Sequence, residues 1–186
     1  MTTSFGGATP PAWQVRCATA SDLPAVNQFY EEVCAAIATT PYGPAWQWGV
    51  NPSAAILQRD LNRGKLLLGY DHARLAAVGV LLAGEDPDYQ GAAWRLPATE
   101  AEIGVLHLFA VHPRFRGRGI STKMLRAILA QALADGRTVL HLDAIKGNIP
   151  AEKLYLAAGF RFVEERVVTP PHIGRITLRL MERTTG

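Results

Sequence analysis

The sequence predicts a mixed α/β fold, in which helices flank a sheet that contains one parallel crossover at its centre. Short apolar or alternating runs typical of strands are interspersed with longer runs in which apolar residues recur every three or four positions, as in helices. The predicted order is strand, helix, helix, a meander of strands, and then strand, loop, helix, strand, helix and two strands. Apolar residues make up 48% of the 186 residues and charged residues 19%, so the chain is expected to bury a core.

The N-terminal half is predicted to contain one strand, two helices and a strand pair. The run "WQVRCAT" is typical of a strand, and a helix is expected after it, with Ser21 and Asp22 as its N-cap. A second helix is expected in "SAAILQRDLNRG", where Ser53 is the cap and Gly64 the stop. The runs "KLLLGYD" and "RLAAVGVLLAG" predict two strands joined by a turn near residues 71–73.

The C-terminal half is predicted to hold the centre of the sheet. The run "EIGVLHLFAVHP" is nearly all apolar, as expected for a strand that is covered on both faces. The next helix is expected to begin near Gly119 and to end at Gly136. Its apolar face consists of Met124, Ile128, Leu129 and Ala132. After it, "TVLHLDA" predicts a buried strand, "IPAEKLYLAAG" a helix, and "FRFVEERVV" and "GRITLRLMER" two half-exposed strands.

Composition and charge argue against several classes of protein. The net charge of +3 permits an anionic ligand but is too small to indicate nucleic-acid binding. Cys17 and Cys34 form neither a disulfide framework nor a CxxC pair, which favours a reducing, cytoplasmic location. No apolar run reaches the roughly 18–20 residues of a membrane span, and the N-terminus shows no secretory signal. Residues 1–12 are interpreted as a flexible tail and residues 13–186 as one domain.

The segment "VHPRFRGRGIST", residues 111–122, carries the main chemical signal. It places three arginines around Gly117 and Gly119, directly before a predicted helix. The first N–H groups of a helix have no intrahelical partner, and glycine lets a phosphate approach the backbone, so the segment is suited to bind a pyrophosphate. A solvated basic turn explains the spacing equally well. Neither a Walker A loop nor a complete G-x-G-x-x-G dinucleotide loop is present.

Two blocks together resemble the Gcn5-related N-acetyltransferase (GNAT) family. The first is Arg114-x-x-Gly117-x-Gly119, which follows "FAVHP" and resembles the family's acetyl-CoA signature. The second is "NIPAEKLYLAAGF", with its Asn, Ala, Leu-Tyr and Gly-Phe. The resemblance covers residues 13–183 and implies a mostly antiparallel sheet of about seven strands, with splayed central parallel strands and about four helices. Ser121 departs from the glycine of many members, but its backbone N–H stays available.

The resemblance also implies acetyl-CoA as the co-substrate and no metal. The pantetheine arm is expected to pair, like an added strand, with the backbone of Phe109, Ala110 and Val111, which requires a bulge near Phe109. The pyrophosphate is expected at Arg116, Gly117, Arg118, Gly119, Ile120 and Ser121. Asn148 is expected to bond the cofactor or to cap the helix that follows it, and the two roles are compatible.

Tyr155 is the predicted general acid for the departing CoA thiolate, because it stands at the Leu-Tyr position of the second block. It would contact the cofactor as well, and the alternative is a core tyrosine with a satisfied hydroxyl. The candidates for the base that deprotonates the amine are His107, Glu102 and Asp143. A water relay to the solvent is a fourth solution. Because Cys17 and Cys34 lie far from the motif in sequence, direct transfer is expected rather than a covalent cysteine intermediate.

The acceptor is predicted to be a primary amine of a small molecule or peptide, held among aromatic and acidic side chains. The candidates are Tyr42, Trp46, Trp48, Asp86, Asp88, Tyr89 and Trp94. Tryptophans that merely pack the helices onto the sheet explain the same pattern. A non-catalytic acyl-CoA-binding module is the alternative to an enzyme. Arginines concentrated in one loop disfavour nucleic acid as a partner, and a homodimer stays open.

Overall fold

The computed structural model describes residues 12–40 and 43–186. Within these residues one sheet contains β1 Trp13–Cys17, β2 Gly64–Asp71, β3 Arg74–Ala83, β4 Ile103–Val111, β5 Val139–Ile145, β6 Arg161–Val168 and β7 Ile176–Thr184. The strand order is β1-β2-β3-β4-β5-β7-β6. β4 and β5 pair in parallel, and the other neighbouring pairs are antiparallel. The predicted mixed sheet of about seven strands with a central parallel pair is confirmed.

Helices cover both faces of this sheet. In the described part of the chain they are α1 Leu23–Ile37, α2 Ala54–Arg63, α3 Ile120–Ala134 and α4 Ile149–Ala157. α1 and α2 pack against Leu66 and Leu68 of β2, whereas α3 and α4 share a core with Leu67 on the opposite face. One apolar strand serves both layers because successive side chains point to opposite faces of the sheet.

The start of α1 differs in part from the prediction, whereas the start of α2 agrees with it. Asp22 occupies the N-cap position of α1, as predicted, but no side-chain hydrogen bond caps the first turn of this helix. Instead, Thr19 begins a short 3-10 turn that runs directly into α1, and Asp22 Oδ2 accepts a hydrogen bond from the Thr19 backbone N–H at 2.8 Å. Asp22 therefore closes a capping box one turn earlier than expected. The Ser53 cap of α2 is confirmed, since its hydroxyl accepts from a backbone N–H of the first turn.

A bulge interrupts β4 at the position that the resemblance implied. Leu108 and Phe109 of β4 lie opposite a single residue of β3, Gly79. Leu108 adopts φ +47°, a conformation that is rare for a residue with a side chain. The Tyr30 hydroxyl of α1 donates a hydrogen bond to the Leu108 carbonyl. The bulge bends β4, and α1 holds the bent backbone in place.

β4 and β5 separate after a short paired stretch. Their ladder runs from Ile103, opposite Val139, to Val105, opposite His141. Beyond these pairs the C-terminal parts of the two strands diverge, so a wedge opens between them. Parallel neighbours bring their C-terminal ends to one edge of the sheet, and the segments that follow β4 and β5 therefore meet at this wedge.

The connection between β3 and β4, residues 84–102, packs over the sheet on the face opposite α3. Glu182 of β7 holds it there. This carboxylate is 1% exposed and accepts hydrogen bonds from the backbone N–H groups of Arg95 and Leu96, each at 3.1 Å. The Trp94 ring stacks on His141 with centroids 3.7 Å apart. These contacts hold the connection against the sheet next to the wedge, where it forms a wall.

Two predictions fall partly outside the described residues. Of the predicted tail, residues 1–11 lie outside them, while the Ala12 carbonyl accepts a hydrogen bond from the His72 N–H at 3.0 Å. Tyr42 also lies outside them. Among the residues that are described, no helix is both long and apolar enough to cross a membrane. Cys17 and Cys34 are free thiols.

Candidate active site

A cavity of about 1000 Å³ lies at the wedge between β4 and β5. Residues 108–111 of β4, the start of α3, and Asn148 and Tyr155 line one part, which we call the α3 half. One face of α2 and residues 84–88 line the other part, which we call the α2 half. The side chains predicted to bind a cofactor therefore adjoin the acidic segment predicted to bind an acceptor.

The start of α3 forms an open cradle in the α3 half. Gly117 and Gly119 have φ of +75° and +70°, which glycine adopts without strain. No atom lies within 4 Å of a Cβ built at either position, and no described side chain caps the helix at Gly119. The first N–H groups of α3 thus combine free space with the partial positive charge of a helix N-terminus. Such a site accepts an anion.

Two arginines of this loop, Arg116 and Arg118, differ in whether their side chains are engaged in other contacts. The Arg116 side chain is exposed and lines the cavity. The Arg118 guanidinium is bound elsewhere: it donates to Asp71 Oδ2 at 2.9 Å and lies over the Phe115 ring, 5.6 Å from its centroid. Arg118 can therefore offer an anion its backbone N–H more readily than its side chain. Ile120 is buried and Ser121 lines the cavity.

One edge of β4 is free where the cavity begins. Ala110 and Val111 pair with β3 on one side, but the ladder to β5 ended at Val105 on the other. Phe109 follows the bulge and also lines the cavity. Backbone N–H and C=O groups along a free strand edge are a template for an added extended segment. The sequence correctly predicted a bulge and a splayed strand here.

Tyr155 lies on α4 with its ring buried in the core beneath the cavity. Its ring centroid is 6.4 Å from that of Phe109 and 5.7 Å from that of Phe160. Burial, and then the charge of Asp143, raise the pKa of Tyr155. Within the described residues, its hydroxyl has no recorded hydrogen-bond partner. The phenol is therefore a protonated donor that borders the cavity.

His107 and Asp86 form a contact pair in the cavity wall. His107 Nε2 lies 2.7 Å from Asp86 Oδ2. Burial lowers the pKa of His107, but the Asp86 contact and the nearby Asp143 charge outweigh burial and raise it above its usual range. Burial likewise opposes ionisation of Asp86, yet contact with His107 brings the net pKa of Asp86 down. The pair therefore favours an imidazolium beside a carboxylate.

Asp143 of β5 lines the same cavity as Tyr155, His107 and Asp86. Its Oδ1 accepts a hydrogen bond from the buried Tyr89 hydroxyl at 2.5 Å. Burial raises the pKa of Asp143, and the Tyr89 bond and His107 only partly offset it. The Asp143 charge acts on both His107 and Tyr155. The structure thus brings three predicted residues, His107, Asp143 and Tyr155, to one cavity.

The structure does not bring Glu102 to the cavity. Its carboxylate closes a capping box, accepting from the Thr99 N–H at 2.9 Å and the Thr99 hydroxyl at 2.7 Å. These bonds lower the pKa of Glu102. Glu102 precedes Leu108 by six positions along an extended chain, a span of about 20 Å. The sequence identified it as a strand-opening acid but gave no sign of the cap.

Asn148 adopts the cap role that the sequence left open. Its Oδ1 accepts a hydrogen bond from the Ala151 N–H at 3.4 Å, and the residue lines the cavity. Trp46 also lines the cavity and packs edge-on against Tyr30, with centroids 5.9 Å apart. Trp48 and Trp94 belong to packing clusters, as the alternative interpretation of the tryptophans held.

Sequence reasoning missed Tyr30 and Asp60. Tyr30 is completely buried and holds the bulge, which no pattern in the sequence of α1 reveals. Asp60 is buried on the face of α2 that lines the cavity. Its signal was present: a charged residue three positions after Leu57 falls on the buried stripe of an amphipathic helix, where a charge is uncommon.

The described residues contain no group of three or more His, Cys, Asp and Glu side chains arranged to hold a metal ion. The buried His141 does not form one with its neighbours. Its Nδ1 lies 2.9 Å from Glu85 Oε2, and its ring is covered by Trp94.

Residues 25–160 match the family model described as the acetyltransferase (GNAT) family. Several solved structures share the fold. The ribosomal-protein-S18-alanine N-acetyltransferase from Escherichia coli has a TM-score of 0.66 at 18% identity, covering 94% of both chains. The protein yncA from Salmonella typhimurium, solved with its cofactor acetyl-CoA, has a TM-score of 0.64 at 18% identity, covering 95% of both chains. An acetyltransferase of the GNAT family from Streptococcus pneumoniae has a TM-score of 0.67 at 18% identity, covering 94% of this chain and 99% of that one. No curated protein matches the chain.

Proposed function

Because the chain belongs to the GNAT family of acetyltransferases, we propose that it transfers an acetyl group from acetyl-CoA directly to a primary amine of a small molecule or peptide. One observation carries this proposal: a free edge of β4 and the uncapped start of α3 border the same cavity. Acetyl-CoA needs both, a strand edge for the amide groups of its pantetheine arm and several N–H donors for its phosphates.

The α3 half fits acetyl-CoA. The backbone of Phe109, Ala110 and Val111 is assigned to the pantetheine arm, and the N–H groups of residues 116–121 to the pyrophosphate. Arg116 adds a mobile positive charge, whereas Arg118 contributes its backbone because Asp71 binds its guanidinium. The open space at Gly117 and Gly119 supports this assignment.

Tyr155 is proposed to assist the leaving group. Acetyl-CoA supplies the activated acetyl group and departs as a thiol. The raised pKa of Tyr155 keeps its hydroxyl protonated, so it can donate a hydrogen bond to sulfur as negative charge develops there. Apolar surroundings raise the pKa of a thiol too, so the difference between the pKa values of the phenol and the thiol becomes smaller. Asn148 is proposed to fix the start of α4, the helix that carries Tyr155.

His107 is proposed as the base that receives the proton of the acceptor amine. Its contact with Asp86 supports this role, because the carboxylate stabilises the imidazolium that would form. Asp143 is proposed to support the same charge from the other side while Tyr89 fixes its orientation. Glu102 receives no catalytic role, since its carboxylate is bound by Thr99 outside the cavity.

The acceptor is proposed to enter through the α2 half. This half carries Asp86 and Asp88, and Trp46 gives it an apolar surface. Both halves of the cavity are formed by one chain, so the proposed site does not require a second copy of the protein. Residues 13–186 are proposed to act as one catalytic domain, and the two free thiols are compatible with the cytoplasmic location that the sequence suggested.

The test is an assay of CoA thiol release from acetyl-CoA, with polyamines, amino acids, aminoglycosides and peptides offered as acceptors. We expect at least one class to release thiol and to yield its N-acetyl product by mass spectrometry. Reactions without the protein serve as the control for uncatalysed release of the thiol. Binding of acetyl-CoA with no turnover on any class would support the non-catalytic module instead, and no binding would refute both.

A further inference from the structure

Asp60 is a buried carboxylate in the α2 half that the mechanism above does not use. It is 2% exposed and lies on the cavity-lining face of α2, together with Ile56, Arg59 and Arg63. Burying a carboxylate is costly unless its oxygens receive hydrogen bonds or an opposite charge. The arrangement of its partners is therefore informative.

Only one of its two oxygens is bound by the described residues. Arg59 Nε donates to Asp60 Oδ1 at 2.9 Å, and the second guanidinium nitrogen lies 2.8 Å from the same oxygen. The Arg59 side chain is itself 56% exposed, so it approaches Asp60 from the solvent side. Oδ2 is left without a recorded partner, although a carboxylate has about four acceptor positions.

Helix stability does not explain this residue. Asp60 lies in the last turn of α2, where the carbonyl ends of the helix carry partial negative charge and disfavour an anion. A buried acid at this position opposes both the helix dipole and desolvation. Such a residue is more readily explained by a ligand that satisfies it.

Two neighbours show where in the cavity Asp60 lies. Burial, and then the Asp60 charge, raise the pKa of Tyr30, the residue that bonds the β4 bulge. The same charge adds to the effect of Asp86 in raising the pKa of His107 against burial. Asp60 is thus near both the bulge, which adjoins the β4 residues assigned to the pantetheine arm, and the proposed base.

We propose that Asp60 Oδ2 binds the ammonium group of the acceptor, so that the acceptor is an alkylamine that enters the cavity as a cation. This inference rests on the proposed function. The buried carboxylate would supply an opposite charge for the ammonium, and His107, which lines the same cavity, would take its proton before attack. Weakly basic amines, which are neutral at pH 7, would forgo this contact and be poor acceptors.

CoA thioethers test the inference without knowledge of the natural acceptor. S-(2-aminoethyl)-CoA and S-propyl-CoA differ only in an ammonium against a methyl group, as do S-(3-aminopropyl)-CoA and S-butyl-CoA. Isothermal titration calorimetry measures their affinities at pH 7. We expect at least one ammonium thioether to bind the wild-type protein about tenfold more tightly than its alkyl partner, as for a hydrogen bond to a charged group.

Asp60→Asn is the decisive variant, because Asn keeps an oxygen for Arg59 but removes the charge at Oδ2. It should lose the ammonium preference and bind the alkyl thioethers within about twofold of wild type, which also shows that it is folded. Asp135→Asn is the matched control, since Asp135 is a partly buried acid that pairs with Lys65 at 2.6 Å and does not line this cavity. It should keep the preference.

Equal affinity of the paired thioethers in the wild-type protein would overturn the inference and leave the proposed function intact. A preference that survives Asp60→Asn, or that is lost equally in Asp135→Asn, would overturn it as well. Failure of acetyl-CoA and of every thioether to bind would refute the proposed function, and this inference with it.

Discussion

At the scale of single residues, removing the Tyr155 hydroxyl tests how much this group contributes to departure of the CoA thiolate. Tyr155→Phe keeps the ring that packs against Phe109 and Phe160 and deletes only the donor. We expect kcat to fall by about 10²-fold or more, the range of general acid catalysis, while the affinity for acetyl-CoA changes by less than about threefold. Steady-state kinetics with an acceptor from the screen, and calorimetry with acetyl-CoA, separate the two effects.

Tyr70→Phe is the matched control for that prediction. The Tyr70 hydroxyl accepts a hydrogen bond from Arg16 at 2.9 Å, and the residue does not line the cavity. Its loss should leave kcat within about twofold. Wild-type turnover in Tyr155→Phe would remove the phenol from the mechanism and leave it as a packing residue.

His107 governs the predicted pH dependence. The base must be neutral to accept a proton, so kcat/KM should rise with pH and level off above the pKa of His107. Asp86, Asp143 and Asp60 all face this imidazole and together raise its pKa against burial, so the inflection is expected above the ordinary value of about 6.5. His107→Gln should abolish the inflection. A profile unchanged by the substitution would indicate a water relay or another base.

The positions of the candidate residues were predictable where a motif fixes the backbone and unpredictable where a side chain's surroundings depend on tertiary contacts. Gly117, Gly119 and Tyr155 lie where the two sequence blocks implied. Glu102 was indistinguishable from His107 in the sequence, because both are polar residues in an apolar strand. Only the Thr99 cap, which depends on the turn before the strand, separates them. The place of Asp60 in the cavity could not be predicted, because it depends on where α2 packs in the folded protein.

At the scale of elements, the start of α3 depends on a left-handed backbone at Gly119. Gly119→Val places a β-branched side chain at φ +70° and fills the open space of the cradle. We expect the affinity for acetyl-CoA to fall by at least about tenfold, measured by calorimetry. Gly136→Val is the control at the other end of α3, since Gly136 has φ +75° and similarly open surroundings. It carries comparable backbone strain but should bind acetyl-CoA normally, and equal losses in both variants would contradict the cradle.

The wall formed by residues 84–102 depends on Glu182. Glu182→Ala leaves the Arg95 and Leu96 N–H groups without their acceptor in a buried position. Because bonds to a charged group contribute roughly 1.5–3 kcal/mol, we expect the free energy of unfolding to fall by about 3 kcal/mol in urea titration. Glu164→Ala removes a more exposed acceptor of the same connection, the one that Ala93 N–H reaches at 3.3 Å, and should cost less. Equal losses would show that burial of Glu182 is not the cause.

Strands and helices were predictable because their patterns are local. The alternation in β6 corresponds to an edge strand, and the apolar run of β4 corresponds to the centre of the sheet. The connection of residues 84–102 was not predictable, since it has no periodicity and is held by a glutamate from β7 that follows Arg95 by 87 residues. The capping box before α1 was missed because Thr19 acts through a 3-10 turn that precedes the helix.

At the scale of the whole molecule, the cavity is assembled from parts that are distant in the chain. Its walls come from α2, β4, the start of α3 and α4, so they meet only in the folded protein. A ligand that contacts several of these parts binds the native state and not the unfolded chain. Its binding energy therefore adds to the stability of the entire fold.

Acetyl-CoA should consequently raise the unfolding temperature of the whole chain. At a concentration of 100 times Kd the stabilisation is about 2.7 kcal/mol. For a domain of this size each kcal/mol shifts Tm by roughly 2–4 °C, so a shift of about 5–10 °C is expected in differential scanning calorimetry. Gly136→Val should show the same shift and Gly119→Val little of it, because only the latter alters the cradle. A single transition that moves as one unit would indicate that both halves of the cavity unfold together, whereas saturation by calorimetry without any shift in Tm would contradict binding across the wedge.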